Sequence, residues 1–263
     1  MQLFDTHSHF SADDIAPVQR AQEAGLAGVI AVGGNQELNI GAKTAAAHFP
    51  RFAHLALGWD RTMTKLPPGI AAERLLEEYH HYKLTETPLC AIGEIGLDYF
   101  HDKGTVSKQK TLFRRQVALA AALALPVIVH CRDAEADVLA ILKDAGSPAL
   151  RADGRLGVIH CFTGSAEFAE AALALGLMVS FSGIVTFRNA DALRAVAKGI
   201  PADRLLVETD CPYLTPVPLR GVPNEPAFVT HVAKCLATQR GETLEALAEA
   251  TTANAGRMFG RGE

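Results

Sequence analysis

Short apolar runs of β-type residues alternate with longer Ala-, Leu- and Glu-rich stretches along the whole chain, and this alternation restricts the fold more than any other feature. Eight runs read as strands: residues 3–7, 28–33, 51–58, 89–95, 126–131, 156–161, 178–182 and 204–210. Residues 71–84, 106–124, 134–145, 166–175 and 190–198 have helical composition, and 225–240 and 243–259 supply two further helices after the last strand. Strands that alternate with helices pair in parallel through right-handed crossovers. Eight such units in a chain of 263 residues predict a closed (β/α)8 barrel as one domain over residues 1–263. An open, doubly wound sheet is the other topology that the pattern permits.

Five of these runs carry six potential metal ligands at their C-terminal ends: His7 and His9, Glu94, His130, His160 and Asp210. Parallel strands would bring all of them to one rim. His7 and His9 are two residues apart, which puts both imidazoles on one face of a strand. Asp5 has the same parity and is expected to orient a ligand imidazole from behind. Glu208 has the parity of Asp210 and reads either as a similar supporting acceptor or as a plain buried carboxylate. Taken singly, each residue is more often an ordinary hydrogen-bonded polar group than a ligand. Together they define a site.

Mixed imidazole and carboxylate donors suit zinc, manganese, nickel or iron better than calcium. Six donors exceed what one catalytic zinc takes and fit two ions about 4 Å apart that share a carboxylate. The expected arrangement has His7, His9 and Asp210 on one ion, His130 and His160 on the other, and Glu94 between them. The expected cofactor is therefore a pair of divalent ions, drawn from zinc, manganese, nickel and magnesium. A hydroxide held between such ions would be nucleophilic near neutral pH, and Asp210 could accept a proton from the attacking water. Glu94 and Asp210 are thus the candidate catalytic residues.

The net charge of −4 argues against a protein that holds duplex nucleic acid by bulk charge. It leaves phosphodiester substrates open, because two divalent cations would bring the formal total from −4 to 0 and concentrate positive charge in the site. The five cysteines form no CxxC pair, which argues against a disulfide framework and a zinc ribbon and fits a reducing compartment. No run has the apolar length of a membrane span, and the first strand leaves no room for a targeting segment. The chain is expected to be cytoplasmic, with no membrane association and no obligate protein partner.

The segments DTHSHF, GEIGLDY, PVIVHCRDA, IHCFTGS, SFSGIVTFRNA and VETDCPYLTPVPLRG, in this order and spacing, resemble the TatD family of metal-dependent hydrolases, described as TatD-type deoxyribonucleases. The resemblance covers nearly the whole chain. It implies a TIM barrel of the amidohydrolase-like type, dependence on divalent metal, and hydrolysis of ester bonds, typically as a nuclease. The family's ligands fall on His7, His9, Glu94, His130, His160 and Asp210. DNA or oligonucleotide ends are the implied substrate.

One departure bears on substrate choice. Family members commonly carry a Gly-x-His-Pro motif after the third strand, where this chain has Gly58-Trp59-Asp60-Arg61. An Asp there repels phosphate unless a metal or Arg61 compensates. Arg132, Arg188 and Arg220 lie in rim loops and are the candidate phosphate contacts. Hydrolysis of a small ester, amide or aminoacyl ester by the same chemistry is the alternative reading. A non-catalytic protein that keeps the cage for stability is a third.

Overall fold

The computed structural model describes residues 2–85, 87–144 and 156–260. Eight parallel strands follow one another in sequence order, each hydrogen-bonded to the next: β1 (Phe4–Ser8), β2 (Gly28–Gly34), β3 (Ala53–Trp59), β4 (Leu89–Asp98), β5 (Val127–Arg132), β6 (Gly157–Ile159), β7 (Leu177–Phe181) and β8 (Leu205–Val207). The first and last come together through residues just beyond them. Ser8 bridges Cys211, the His9 amide donates to the Cys211 carbonyl at 2.8 Å, and the Asp210 amide donates to the His7 carbonyl at 2.9 Å. The open-sheet alternative is thereby excluded.

Helices α1 (Ala16–Glu23), α2 (Gln36–His48), α3 (Pro68–Tyr82), α4 (Val106–Leu123), α5 (Glu135–Asp144), α6 (Ala166–Ala174) and α7 (Asp191–Gly199) join the strands, and α8 (Val229–Arg240) and α9 (Leu244–Phe259) follow the last one. Local sequence sets their ends. Asn35, Ser165 and Thr243 each accept a hydrogen bond from an amide of the first turn of α2, α6 and α9, satisfying donors that a helix start leaves free. Gly241 and Gly260 end α8 and α9 in the left-handed region, which glycine enters without a Cβ clash. Ala145, the last residue of the helix expected over 134–145, lies outside the described residues.

Two apolar cores follow from two-sided burial. The larger lies between the strands and the surrounding helices. The smaller fills the barrel, with Phe4, Ile30, Val32, Ala56, Ala91, Ile128, Val158, Met178 and Leu206 drawn from all eight strands. Ala255, Met258 and Phe259 of α9 join this inner core and cover the end at which the strands begin. Among the described residues, no helix is long and apolar enough to cross a membrane.

Candidate metal centre

Two irregularities set the geometry at the other end. In β1 the pairing with β2 shifts between Asp5 and Ser8, so three steps on β1 face two on β2. In β4 the pairing with β5 shifts between Ile92 and Ile95 in the same way. An extra residue in a strand reverses the inward and outward alternation beyond it. Phe4 and His7 therefore both face inward, as do Ala91 and Glu94, although each pair has opposite parity. Gly58 makes room for this: a Cβ there would meet the Glu94 carbonyl oxygen at 2.5 Å. In β5 and β6 the alternation is regular, and His130 and His160 follow Ile128 and Val158 inward.

Glu94 lies four residues inside β4 rather than at its end, because β4 continues to Asp98. Its Oε2 is 3.6 Å from His7 Nε2 and 3.4 Å from His9 Nε2. Its Oε1 is 3.1 Å from His130 Nδ1 and 3.3 Å from His160 Nε2. Asp210 lies beyond the end of β8 with φ at 58°, a left-handed conformation that is costly for a residue with a Cβ and that clusters at functional sites. Its Oδ1 is 3.7 Å from both His7 Nε2 and His9 Nε2. Three triads of donor atoms lie close enough to share a cation: His7, His9 and Glu94; Glu94, His130 and His160; and His7, His160 and Asp210.

The donor chemistry fits a metal. His9 Nδ1 lies 2.9 Å from the Val32 carbonyl and must donate to it, so Nε2 carries a bare lone pair. That lone pair faces His7 Nε2 at 3.1 Å. His7 Nδ1 and both ring nitrogens of His160 are buried without a hydrogen-bond partner. Such groups are rare in a protein interior, and a cation would satisfy the nitrogens that face the rim.

The electrostatics point the same way. Burial lowers the His130 pKa, but Asp98 and Glu94 outweigh it and lift the group to about 9. Burial opposes charge on His9 and His160 too, and the neighbouring carboxylates carry both above the ordinary histidine value. His7, buried and close to His160, falls to about 3. Burial raises Glu94, but His160 and His130 reverse this and hold it well below the carboxylate range. Burial lifts Asp210 to about 6. The carboxylates of the cluster favour positive charge beside them.

Asp5 does not orient an imidazole. The bulge in β1 turns it away from His7 and His9, and its carboxylate accepts from the His7 and Thr209 amides and from the Ser8 and Thr209 hydroxyls. It ties β1 to the loop that carries Asp210. Glu208 stands behind His160: its Oε1 is 3.5 Å from His160 Nδ1 and accepts from the Cys161 amide at 2.5 Å.

Asp98 was not among the residues expected from the sequence. It is fully buried, and its Oδ2 lies 3.2 Å from His130 Nε2, 2.8 Å from His101 Nδ1 and 2.9 Å from Arg61 Nε. Asp98 has the parity of Glu94 two pleats on, a signal already present in GEIGLDY. Arg61 is thus committed to Asp98. Asp60 caps a short 3-10 turn by accepting from the amide and hydroxyl of Thr62. Burial, and then the charge of Glu94, raises the Asp60 pKa. Arg132 ends β5 beside His130, with its guanidinium over the Phe100 ring. Arg220 donates to the Thr215 carbonyl and covers Phe187, and Arg188 is exposed nearby in sequence.

Residues 4–260 match the family described as TatD related DNase. An uncharacterized metal-dependent hydrolase, YabD, of Bacillus subtilis strain 168 is 40% identical over 98% of each chain. A 3'-5' ssDNA/RNA exonuclease TatD of Pectobacterium parmentieri strain WPP163 is 36% identical over 97% of this chain and 96% of its own. Among solved structures, the TatD homolog YJJV of Escherichia coli superposes with a TM-score of 0.87 at 30% identity, covering 99% of this chain and 98% of that one.

Proposed function

Because the chain belongs to the TatD family of metal-dependent hydrolases, we propose that this rim holds two divalent ions and cleaves phosphodiester bonds at the ends of DNA or oligonucleotides. The observation that carries the reading is the division of Glu94: one oxygen faces His7 and His9, the other His130 and His160. His7, His9 and Asp210 would hold one ion and His130 and His160 the other, with one Glu94 oxygen available to each group. Bound metal supplies Lewis acidity toward a phosphoryl oxygen and a water acidic enough to act as a nucleophile near neutral pH.

The chain's own residues do the rest. Asp210, with a pKa raised to about 6 by burial, is placed to accept a proton from the attacking water. Asp98 holds His130 Nε2 and leaves Nδ1 toward the centre, and Glu208 places its charge 3.5 Å behind His160 Nδ1, leaving Nε2 toward the centre. Arg132, Arg188 and Arg220 are the proposed phosphate contacts, with Arg132 nearest in the chain to a ligand. The enzyme acts as a single cytoplasmic domain without an obligate partner.

Metal analysis of the purified protein, followed by oligonucleotide digestion with zinc, manganese, nickel or magnesium added back, tests this reading. Two ions per chain and metal-restored release of mononucleotides are expected. Turnover of small esters without cleavage of any oligonucleotide would transfer the site to small ester, amide or aminoacyl ester substrates.

A further inference from the structure

Beside the proposed metal centre, a cavity of about 260 Å³ opens between the loop after β1, the first turn of α2 and the loop after β8. His9 forms part of its wall, so the cavity adjoins the centre. Phe10, Leu38 and Tyr213 also line it, together with the acidic residues Asp14 and Glu37. Its volume is just under the roughly 300–1,000 Å³ of sites for drug-sized ligands, which suits one ring system rather than a whole nucleotide.

Tyr213 is 57% exposed, and its ring meets that of His9 edge-on at 6.3 Å between centroids. The backbone beneath it is fixed. Its amide donates to the Asp210 carbonyl at 3.0 Å, and the Asn224 side chain donates to both the Thr209 and Tyr213 carbonyls. A half-exposed aromatic face is thus held in register with Asp210 and His9.

Charge is divided across the mouth. Arg61 and His101 gather around Asp98, and Arg132 lies over Phe100 beside them. Asp14 and Glu37 stand on the cavity side. A phosphate is drawn toward the arginines and repelled from the cavity. The substrate group that enters the cavity is therefore uncharged, flat and rich in N–H donors.

Resting on the phosphodiesterase reading of the centre, we propose that this cavity receives the terminal nucleobase of the strand being cleaved, with Tyr213 as its stacking surface and Glu37 as acceptor for an exocyclic amino group. Base–aromatic stacking tolerates every base, whereas the carboxylate favours adenine, cytosine and guanine over thymine. The site would then select among terminal nucleotides, although it contacts the backbone of all of them alike.

Calorimetric binding of dAMP, dCMP, dGMP and dTMP is compared with that of deoxyribose 5-phosphate. In parallel, cleavage of single-stranded oligonucleotides with each terminal base is compared with one ending in an abasic residue. Nucleotides are expected to bind roughly tenfold tighter than the sugar phosphate, a margin that Tyr213→Ala removes and Tyr213→Phe retains. Glu37→Ala should bring dAMP, dCMP and dGMP down toward dTMP. Nucleotides that bind no better than the sugar phosphate, or cleavage blind to the terminal base in both the parent and Tyr213→Ala, overturn the base site and leave the phosphodiesterase reading standing. Failure of the metal-loaded protein to cleave any oligonucleotide overturns both.

Discussion

At the end where the strands begin, Phe4, Ile30 and Leu206 pack against Ala255, Met258 and Phe259 of the last helix. At the opposite end of the same barrel, His7, His9, His130 and His160 crowd around Glu94 at 3.1–3.6 Å. The first set sits where apolar burial stabilises the fold. The second buries polar atoms that lack partners within the protein and that favour folding only when charge is supplied. The difference lies in how the strands are paired. Three of the five ligand-bearing segments keep their strands short or regular near the rim, but β1 and β4 each insert an extra residue before the site and aim a ligand inward that simple alternation would turn outward.

The contrast predicts that changes at the two ends separate activity from stability. The largest effect is expected for Glu94→Ala, which leaves four imidazoles without the carboxylate that joins them. Loss of kcat/KM should exceed the roughly 10–100-fold typical of an outer supporting residue, with thermal unfolding still cooperative and metal content reduced. Unchanged metal-dependent activity would remove Glu94 from the centre. Met258→Ala is the mirror case. It empties a fully buried position in the inner core and should cost about 2–5 kcal/mol in denaturant unfolding while metal binding persists in the folded fraction. Weaker metal binding without lost stability would mean that the two ends are not independent.

Smaller effects sharpen the comparison. Asp98→Asn keeps the shape but loses the charge that holds His130, and should lower metal affinity or activity by roughly 10–100-fold. An effect confined to stability would make Asp98 a structural residue only. The pH dependence gives a further check. Metal binds deprotonated imidazole, and without metal the His130 pKa is lifted to about 9, so affinity should rise about tenfold per pH unit up to that value. The sign for stability is opposite. A raised folded-state pKa stabilises the metal-free protein fully below about 6.5, and that contribution disappears as pH climbs through about 9. Calorimetry in buffers of different ionisation enthalpy should detect the released proton, and a flat pH profile would contradict the assignment of His130.

The barrel was legible because alternation of strand and helix survives in composition, and because every strand expected from the sequence lies at or within a few residues of its observed position. The cluster was legible because His130 and His160 close regular strands, so parity carries them inward. Bulges were not. They leave no mark in hydrophobic period, which is why Asp5 appeared to share a face with His7 while it faces Thr209 instead. Asp98 escaped notice for the opposite reason. Parity placed it with Glu94, but a strand thought to stop at residue 95 gave it no position on the rim.

The carboxylate of Asp5 grips Thr209, a residue 204 positions later in the chain, and the adjoining bridge joins Ser8 to Cys211. A nascent polypeptide leaving the ribosome therefore carries its first two imidazoles long before their counterpart Asp210 has been synthesised. The cluster can assemble only once the first strand and the loop after the last have met.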